Sequence, residues 1–148
     1  MLTQLGENES KYVWDGISSI ESLGKIRMSA MNNFLSDFAA GKAEGRYIPE
    51  ELPQLSFENK GFDIALSSHF LFLYSDMLSL DFHLRSIQEM LRVADEVRVF
   101  PILTLDGIRS PFLTPLVEGL TKHGFNPELR RVSYEFQRGG NEMLLVRH

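Results

Sequence analysis

Ser67, Ser68 and His69 stand in a row at the end of the apolar run Phe62-Asp63-Ile64-Ala65-Leu66. Imidazole titrates near neutrality, so a histidine in that position is a candidate proton acceptor. Hydroxyls beside it can donate hydrogen bonds to a ligand or accept them from it. The alternative is that His69 packs at the base of the apolar stretch Phe70-Leu71-Phe72-Leu73-Tyr74. Tyr74, Ser75 and Asp76 could touch a substrate from above, or cap the next helix. His83, His123 and His148 do not fall at a metal-ligand spacing, and no metal is implied. The chain has no cysteine, which excludes disulfides, thiolate metal sites and cysteine nucleophiles together. Arg130, Arg131, Arg138 and Arg147 could form a local anion patch, or remain solvated strand arginines.

These residues sit in a chain of 148 residues, 43% hydrophobic and 24% charged. That composition suits one globular domain with a real core. Fifteen basic and 20 acidic side chains give a net charge of −5. Residues 1–95 carry 8 basic and 14 acidic side chains, and residues 96–148 carry 7 and 6. An acidic chain without a basic stripe is a poor candidate for nucleic-acid backbones. No apolar run approaches the roughly 18 residues of a membrane span, and MLTQLGENES lacks the basic start of a signal peptide. A cytoplasmic protein with no membrane partner is expected.

The elements follow from spacing. Residues 1–17 read as a flexible N-terminal segment and residues 18–148 as a single α/β domain. Ser18 and Glu21 predict a capping box. Behind it, Leu23, Ile26, Ala30, Met31, Phe34, Leu35 and Phe38 recur at helical spacing, which predicts a helix over about 19–42. Arg46-Tyr47-Ile48 reads as a short extended piece bounded by Pro49. The run 62–68 reads as a strand buried on both faces. After Ser79, the steps Leu80, Leu84, Ile87, Leu91, Ala94 predict a second helix. Val97 to Phe100 reads as a strand continuing through Pro101-Ile102-Leu103, with an end or kink at Pro101, which lacks an amide donor. Ser110-Pro111 reads as the start of a third helix, ended by Gly124. Val132, Tyr134 and Phe136 alternate with polar residues and predict a half-exposed strand. Residues 137–141 then connect to an inner strand, Met143 to Val146. Strands alternating with helices argue for a parallel sheet with helices on both faces, closed by an antiparallel hairpin.

In this order the chain resembles the C-terminal portion of a class I S-adenosylmethionine-dependent methyltransferase. Residues 51–63 (ELPQLSFENKGFD) are similar to the acidic–small–x–x–Leu-Pro-Phe…Phe-Asp segment that spans the family's third and fourth strands. Residues 64–74 (IALSSHFLFLY) resemble its fourth strand and the apolar loop after it. The strand, helix and hairpin from Val97 to Val146 resemble its closing elements. Together these cover residues 46–147. The resemblance implies a partial Rossmann-like sheet and a methyl transfer to a small molecule.

It also implies roles. Glu51 falls at the acidic position near the adenine amino group of the cofactor, with Leu52 beside it. The family usually has Asp and a small residue at these places, and a solvated loop glutamate is the alternative. Ser67 and Ser68 would line the methionine end of the cofactor or the substrate. His69 and Tyr74 would meet the substrate, with His69 as the candidate base. Many methyltransferases act mainly by aligning the methyl group with its acceptor, which needs no dedicated base. In open α/β sheets ligands bind beyond the carboxyl ends of strands, where strand order reverses.

The family's glycine-rich cofactor loop after its first strand has no counterpart here, since Gly139-Gly140 belongs to the hairpin. Nor is there an early strand carrying the acidic residue that holds the ribose. The chain reads as beginning after the fold's second strand. In the family order 3-2-1-4-5-7-6, that leaves strand 62–67 as an apolar edge, which invites pairing with another chain. The expectations are a homodimer through this edge, or Tyr47-Ile48 pairing directly beside it. The corresponding functions are a methyltransferase that acts as part of a longer parent, and a non-catalytic dimeric binding module.

Overall fold

The computed structural model describes residues 9–148, so residues 1–8 of the expected flexible segment 1–17 lie outside the described residues. The chain forms two compact units, residues 1–49 and 50–148.

The first unit is built on helix α1, Ile20–Ala43. Its cap is Ser19, whose hydroxyl accepts from the Ser22 amide at 3.0 Å. The expected Ser18–Glu21 box does not form: the cap is one residue later, and Glu21 pairs with Lys25 one turn on. Of the apolar stripe only Leu23 is buried, and Ile26, Met31, Phe34, Leu35 and Phe38 are exposed. The expected strand at 46–48 is absent. Instead the chain folds back: Arg46 grips Asp37 with two nitrogens at 2.6 and 2.8 Å, and the Tyr47 hydroxyl donates to Asp37 at 2.6 Å. The Arg46 guanidinium, helped by Tyr47, holds the Asp37 carboxyl well below the usual carboxylate range. Gly41 makes this possible, since a Cβ there would stand 2.3 Å from the Tyr47 ring.

The second unit is a four-stranded mixed sheet with two helices. Its elements are β1 (Phe62–Ser68), α2 (Leu80–Val93), β2 (Ala94–Phe100), α3 (Leu113–Lys122), β3 (Asn126–Arg131) and β4 (Glu142–Arg147). The sheet order is β1-β2-β4-β3. β1 and β2 are parallel, and β4 is antiparallel to both its neighbours. Ser79 caps α2 through the Phe82 amide, as its position before the periodic run predicts. β2 stops at Phe100, before Pro101, and the expected continuation through 101–103 is not part of it: Leu103 makes only an isolated bridge with Arg109. α3 starts two residues later than expected, after a turn in which the Ser110 hydroxyl accepts from the Phe112 amide. The alternating stretch 132–136 is not a strand. β3 lies earlier, at 126–131, and 132–141 is all connection.

Ile87 and Leu91 of α2, Leu116 and Leu120 of α3, Val97 and Val99 of β2, and Leu144 and Val146 of β4 form one core. Both helices of this unit therefore pack on the same face of the sheet, rather than on opposite faces. Helix α2 is also clamped at its far end. Arg92 donates to Glu89, to the carbonyls of Leu55 and Phe57 and to Asn59, and Glu89 accepts the Leu55 amide. This fixes the segment leading into β1 at the amino end of the sheet.

The opposite face is divided. On β2 and β4, Glu96 and Arg147 are direct cross-strand partners. Glu96, only 8% exposed, accepts from Arg98 at 2.5 Å and from Arg147 at 2.6 Å. On β1, Phe62, Ile64 and Leu66 are 46%, 44% and 71% exposed. The strand expected to be covered on both faces is thus covered on one. Among the described residues β1 pairs only with β2, so its outer edge is free.

The hydrogen bond from Arg98, with that from Arg147, lowers the Glu96 carboxyl from its ordinary range, and Arg92 with the Leu55 amide does the same for Glu89. Folded values below unfolded ones contribute stability in full above the ordinary glutamate value of 4.5, and this is lost as pH falls through the folded values. Thermal unfolding followed from neutral to acid pH is expected to show a steeper acid decline in the wild type than in Glu96→Gln. Parallel declines would refute this assignment.

Candidate functional site at the carboxyl end of the sheet

β1 and β2 run the same way, so their carboxyl ends share one end of the sheet. The β3–β4 connection lies there too, because Arg131 pairs with Glu142 and Leu144 pairs with Val99. Three connections therefore meet: residues 69–79, 101–112 and 132–141. They are knitted together. The Leu105 amide donates to the Leu73 carbonyl at 3.2 Å. The buried hydroxyls of Ser75 and Ser110 lie 2.7 Å apart. Arg109 pairs with Glu142 at 3.1 Å, and a Cβ on Gly107 would meet the Gln137 amide at 3.0 Å.

His69 turns the chain off the end of β1. Its φ is +56°, a left-handed conformation that is uncommon for a residue with a Cβ. Its amide donates to the Phe100 carbonyl at 2.6 Å, which holds the turn against β2. Its Nδ1 lies 2.8 Å from the Ser68 hydroxyl, and its ring meets Phe100 edge-on at 5.6 Å. His69 and Ser68 are exposed. Ser67 is 7% exposed, and its hydroxyl has no hydrogen-bond partner among the described residues. A buried hydroxyl left alone carries a desolvation cost, so this strand end is polar beyond the needs of packing.

The other sequence candidates are placed differently. Tyr74 closes a 3-10 turn, Phe72–Tyr74, half-buried with its ring 6.1 Å from Phe70. Glu51 is exposed and Leu52 packs on the core. Both belong to a shallow, open depression of about 510 Å³ lined by residues 50–56. That stretch runs into the clamp of Arg92 and Glu89 at the amino end of the sheet. No hydrogen bond or ion pair joins Glu51 or Leu52 to Ser67–His69 among the described residues. The site thus contains Ser67, Ser68 and His69 together, with Tyr74 in the adjoining connection.

Sequence reasoning missed Phe100 and Tyr134, whose rings lie 5.9 Å apart. The only signal available was that both flank loops expected at the same end of the sheet.

The remaining histidines serve the backbone. His83 reaches the carbonyls of Ser79 and Leu71, His123 that of Gly119, and His148 that of Leu91. No group of three His, Asp or Glu side chains that could hold a metal is found among the described residues. No described helix is long and apolar enough to cross a membrane.

The chain is 32% identical over 142 residues to an uncharacterized protein of Methanocaldococcus jannaschii. The match covers 96% of this chain and 61% of the relative, so the chain spans about three-fifths of that protein's length. No family model matches the chain, and no solved structure matches it.

Proposed function

We propose that the chain carries the C-terminal half of a Rossmann-like S-adenosylmethionine-dependent methyltransferase acting on a small molecule. One observation carries this reading: the order β1-β2-β4-β3, with the last strand inserted antiparallel between its neighbours. This agrees with the 4-5-7-6 end of the sheet order that the sequence resemblance implies. The polar cluster Ser67–His69 at the carboxyl ends of parallel strands supports it further, because that is where open α/β sheets bind ligands. The acidic net charge fits a small-molecule substrate better than a nucleic acid.

The described residues do not make a complete cofactor cradle. The orphaned Ser67 hydroxyl and the exposed Ser68 fit one wall. Glu51 and Leu52 are tied to a different end of the sheet, and no glycine-rich turn leads from a strand into a helix. Matched residues numbering 142 are 61% of the relative, which leaves about 90 of its residues outside the match. A strand–helix–strand unit takes about 30 or more residues, so that length has room for the missing walls. Calorimetric titration with S-adenosylhomocysteine tests the reading. The full-length M. jannaschii relative is expected to bind it, and the present chain to bind far more weakly or not at all. A full-length relative that does not bind at millimolar ligand would overturn the proposal.

A second reading, a non-catalytic dimeric module, is favoured by the free edge and exposed apolar row of β1.

A further inference from the structure

We propose that His69, Phe100 and Tyr134 form a ledge that binds a planar aromatic compound bearing a hydroxyl group. The proposal deepens the methyl-transfer reading by naming the class of acceptor, and it rests on that reading only for the word acceptor.

The three rings come from the 69–79 connection, the end of β2 and the 132–141 connection, and meet at one end of the sheet. His69 and Phe100 lie 5.6 Å apart with planes at 75°. Phe100 and Tyr134 lie 5.9 Å apart at 68°. Two successive near-perpendicular contacts make a stepped surface rather than a closed stack. In each corner a flat ring can meet one face and one edge at once, which is how aromatic groups prefer to pack.

Tyr134 is 56% exposed, although its connection is firmly built. The Glu135 carboxylate accepts the Gly139 amide at 2.7 Å and the Asn141 side chain at 2.8 Å. The connection's carboxylate thus holds its own backbone, while its aromatic ring is set outward over Phe100. The Tyr134 hydroxyl makes no hydrogen bond among the described residues.

His69 supplies the polar end. Its Nδ1 is engaged by Ser68, and its Nε2 has no partner among the described residues. In neutral imidazole one nitrogen donates and the other accepts, and the Ser68 hydroxyl can take either role toward Nδ1, so Nε2 can accept or donate. A ligand hydroxyl can meet either form.

The probe is 2-naphthol, with its saturated counterpart decahydro-2-naphthol as the control that keeps the hydroxyl and loses the flat ring. The full chain is titrated by NMR. The His69 imidazole and Tyr134 ring signals are assigned from His69→Gln and Tyr134→Leu. Both sets of signals are expected to move together and saturate with 2-naphthol. The saturated alcohol should bind about 10-fold more weakly, as loss of aromatic pairing predicts. Tyr134→Leu should weaken 2-naphthol by a similar factor, and Tyr134→Phe should leave it within about twofold.

Equal binding of the two alcohols would overturn the proposal. So would an unchanged affinity in Tyr134→Leu, or shifts confined to the Phe34, Phe38 and Tyr47 cluster of the first unit. Failure of S-adenosylhomocysteine to bind the longer relative would leave the ledge standing and remove the methyl transfer. Failure of 2-naphthol alone would do the reverse.

Discussion

His83→Ala is expected to lower the free energy of unfolding by about 3 kcal/mol. The ring is completely buried. Its Nδ1 lies 2.8 Å from the Ser79 carbonyl and its Nε2 lies 2.9 Å from the Leu71 carbonyl. Phe72 and Phe112 pack against it at 5.8 and 5.2 Å. Truncation leaves a hole between two aromatic rings, and large-to-small changes in a core cost about 2–5 kcal/mol. It also removes the ring's contact to the Leu71 carbonyl. The Ser79 carbonyl keeps its helical bond from the His83 amide and the Leu71 carbonyl keeps one from the Tyr74 amide at 3.2 Å, so the cavity dominates the loss. Domains of this kind are stable by only about 5–15 kcal/mol, so the variant should sit near its limit. Urea unfolding measures the loss. A decrease under about 1 kcal/mol would mean that the ring is not the tie described. Because Leu71 follows His69 by two residues, the variant should also loosen the His69 turn, visible as a change in its imidazole NMR signals.

Leu66→Lys is expected to change association and leave stability alone. Leu66 is 71% exposed beside a free strand edge, so removing it should alter stability by no more than about 0.5 kcal/mol. An open apolar edge is a template for another strand. The isolated wild-type chain is therefore expected to self-associate at about 100 µM, in the range where exposed strand edges associate. The lysine variant should sediment as a monomer, because a charge on an edge strand opposes pairing. Ile64→Lys should act alike, since Ile64 lies on the same face. A wild-type chain that is monomeric at that concentration would show that the edge is closed in some other way, and would remove the dimeric reading.

The parts of the fold legible in the sequence are those set by neighbours in the chain. Ser79 before a periodic run marked the start of α2, Pro101 marked the end of β2, and Met143 to Val146 marked the inner strand. The misread parts are set by distant partners. Arg46 and Tyr47 fold back on Asp37, nine and ten residues away, and no local pattern reveals that an extended-looking tripeptide will turn. Val132, Tyr134 and Phe136 alternate as a strand does, yet register with β4 selects 126–131 instead. The exposure of β1 was hidden because an apolar run does not say how many faces are covered. The site divides the same way. Ser67–His69 could be placed from the end of an apolar run, whereas Phe100 and Tyr134 are 34 residues apart and meet only through the sheet.

The divided face of the sheet limits what can lie on it. Strands are spaced about 4.8 Å apart, and a helix with its side chains is about 10 Å wide, so a helix laid on a sheet rests on about two strands. On that face β2 presents Glu96 and Arg98, bound up with Arg147 of β4. β3 presents the paired Glu128 and Arg130. β4 adds Leu145 there, which is already buried, so the exposed apolar row is that of β1, half the footprint a helix needs. The other half has to be a strand on the far side of β1. The bare edge and the bare face are therefore one requirement, met by a strand and a helix arriving together and by neither alone.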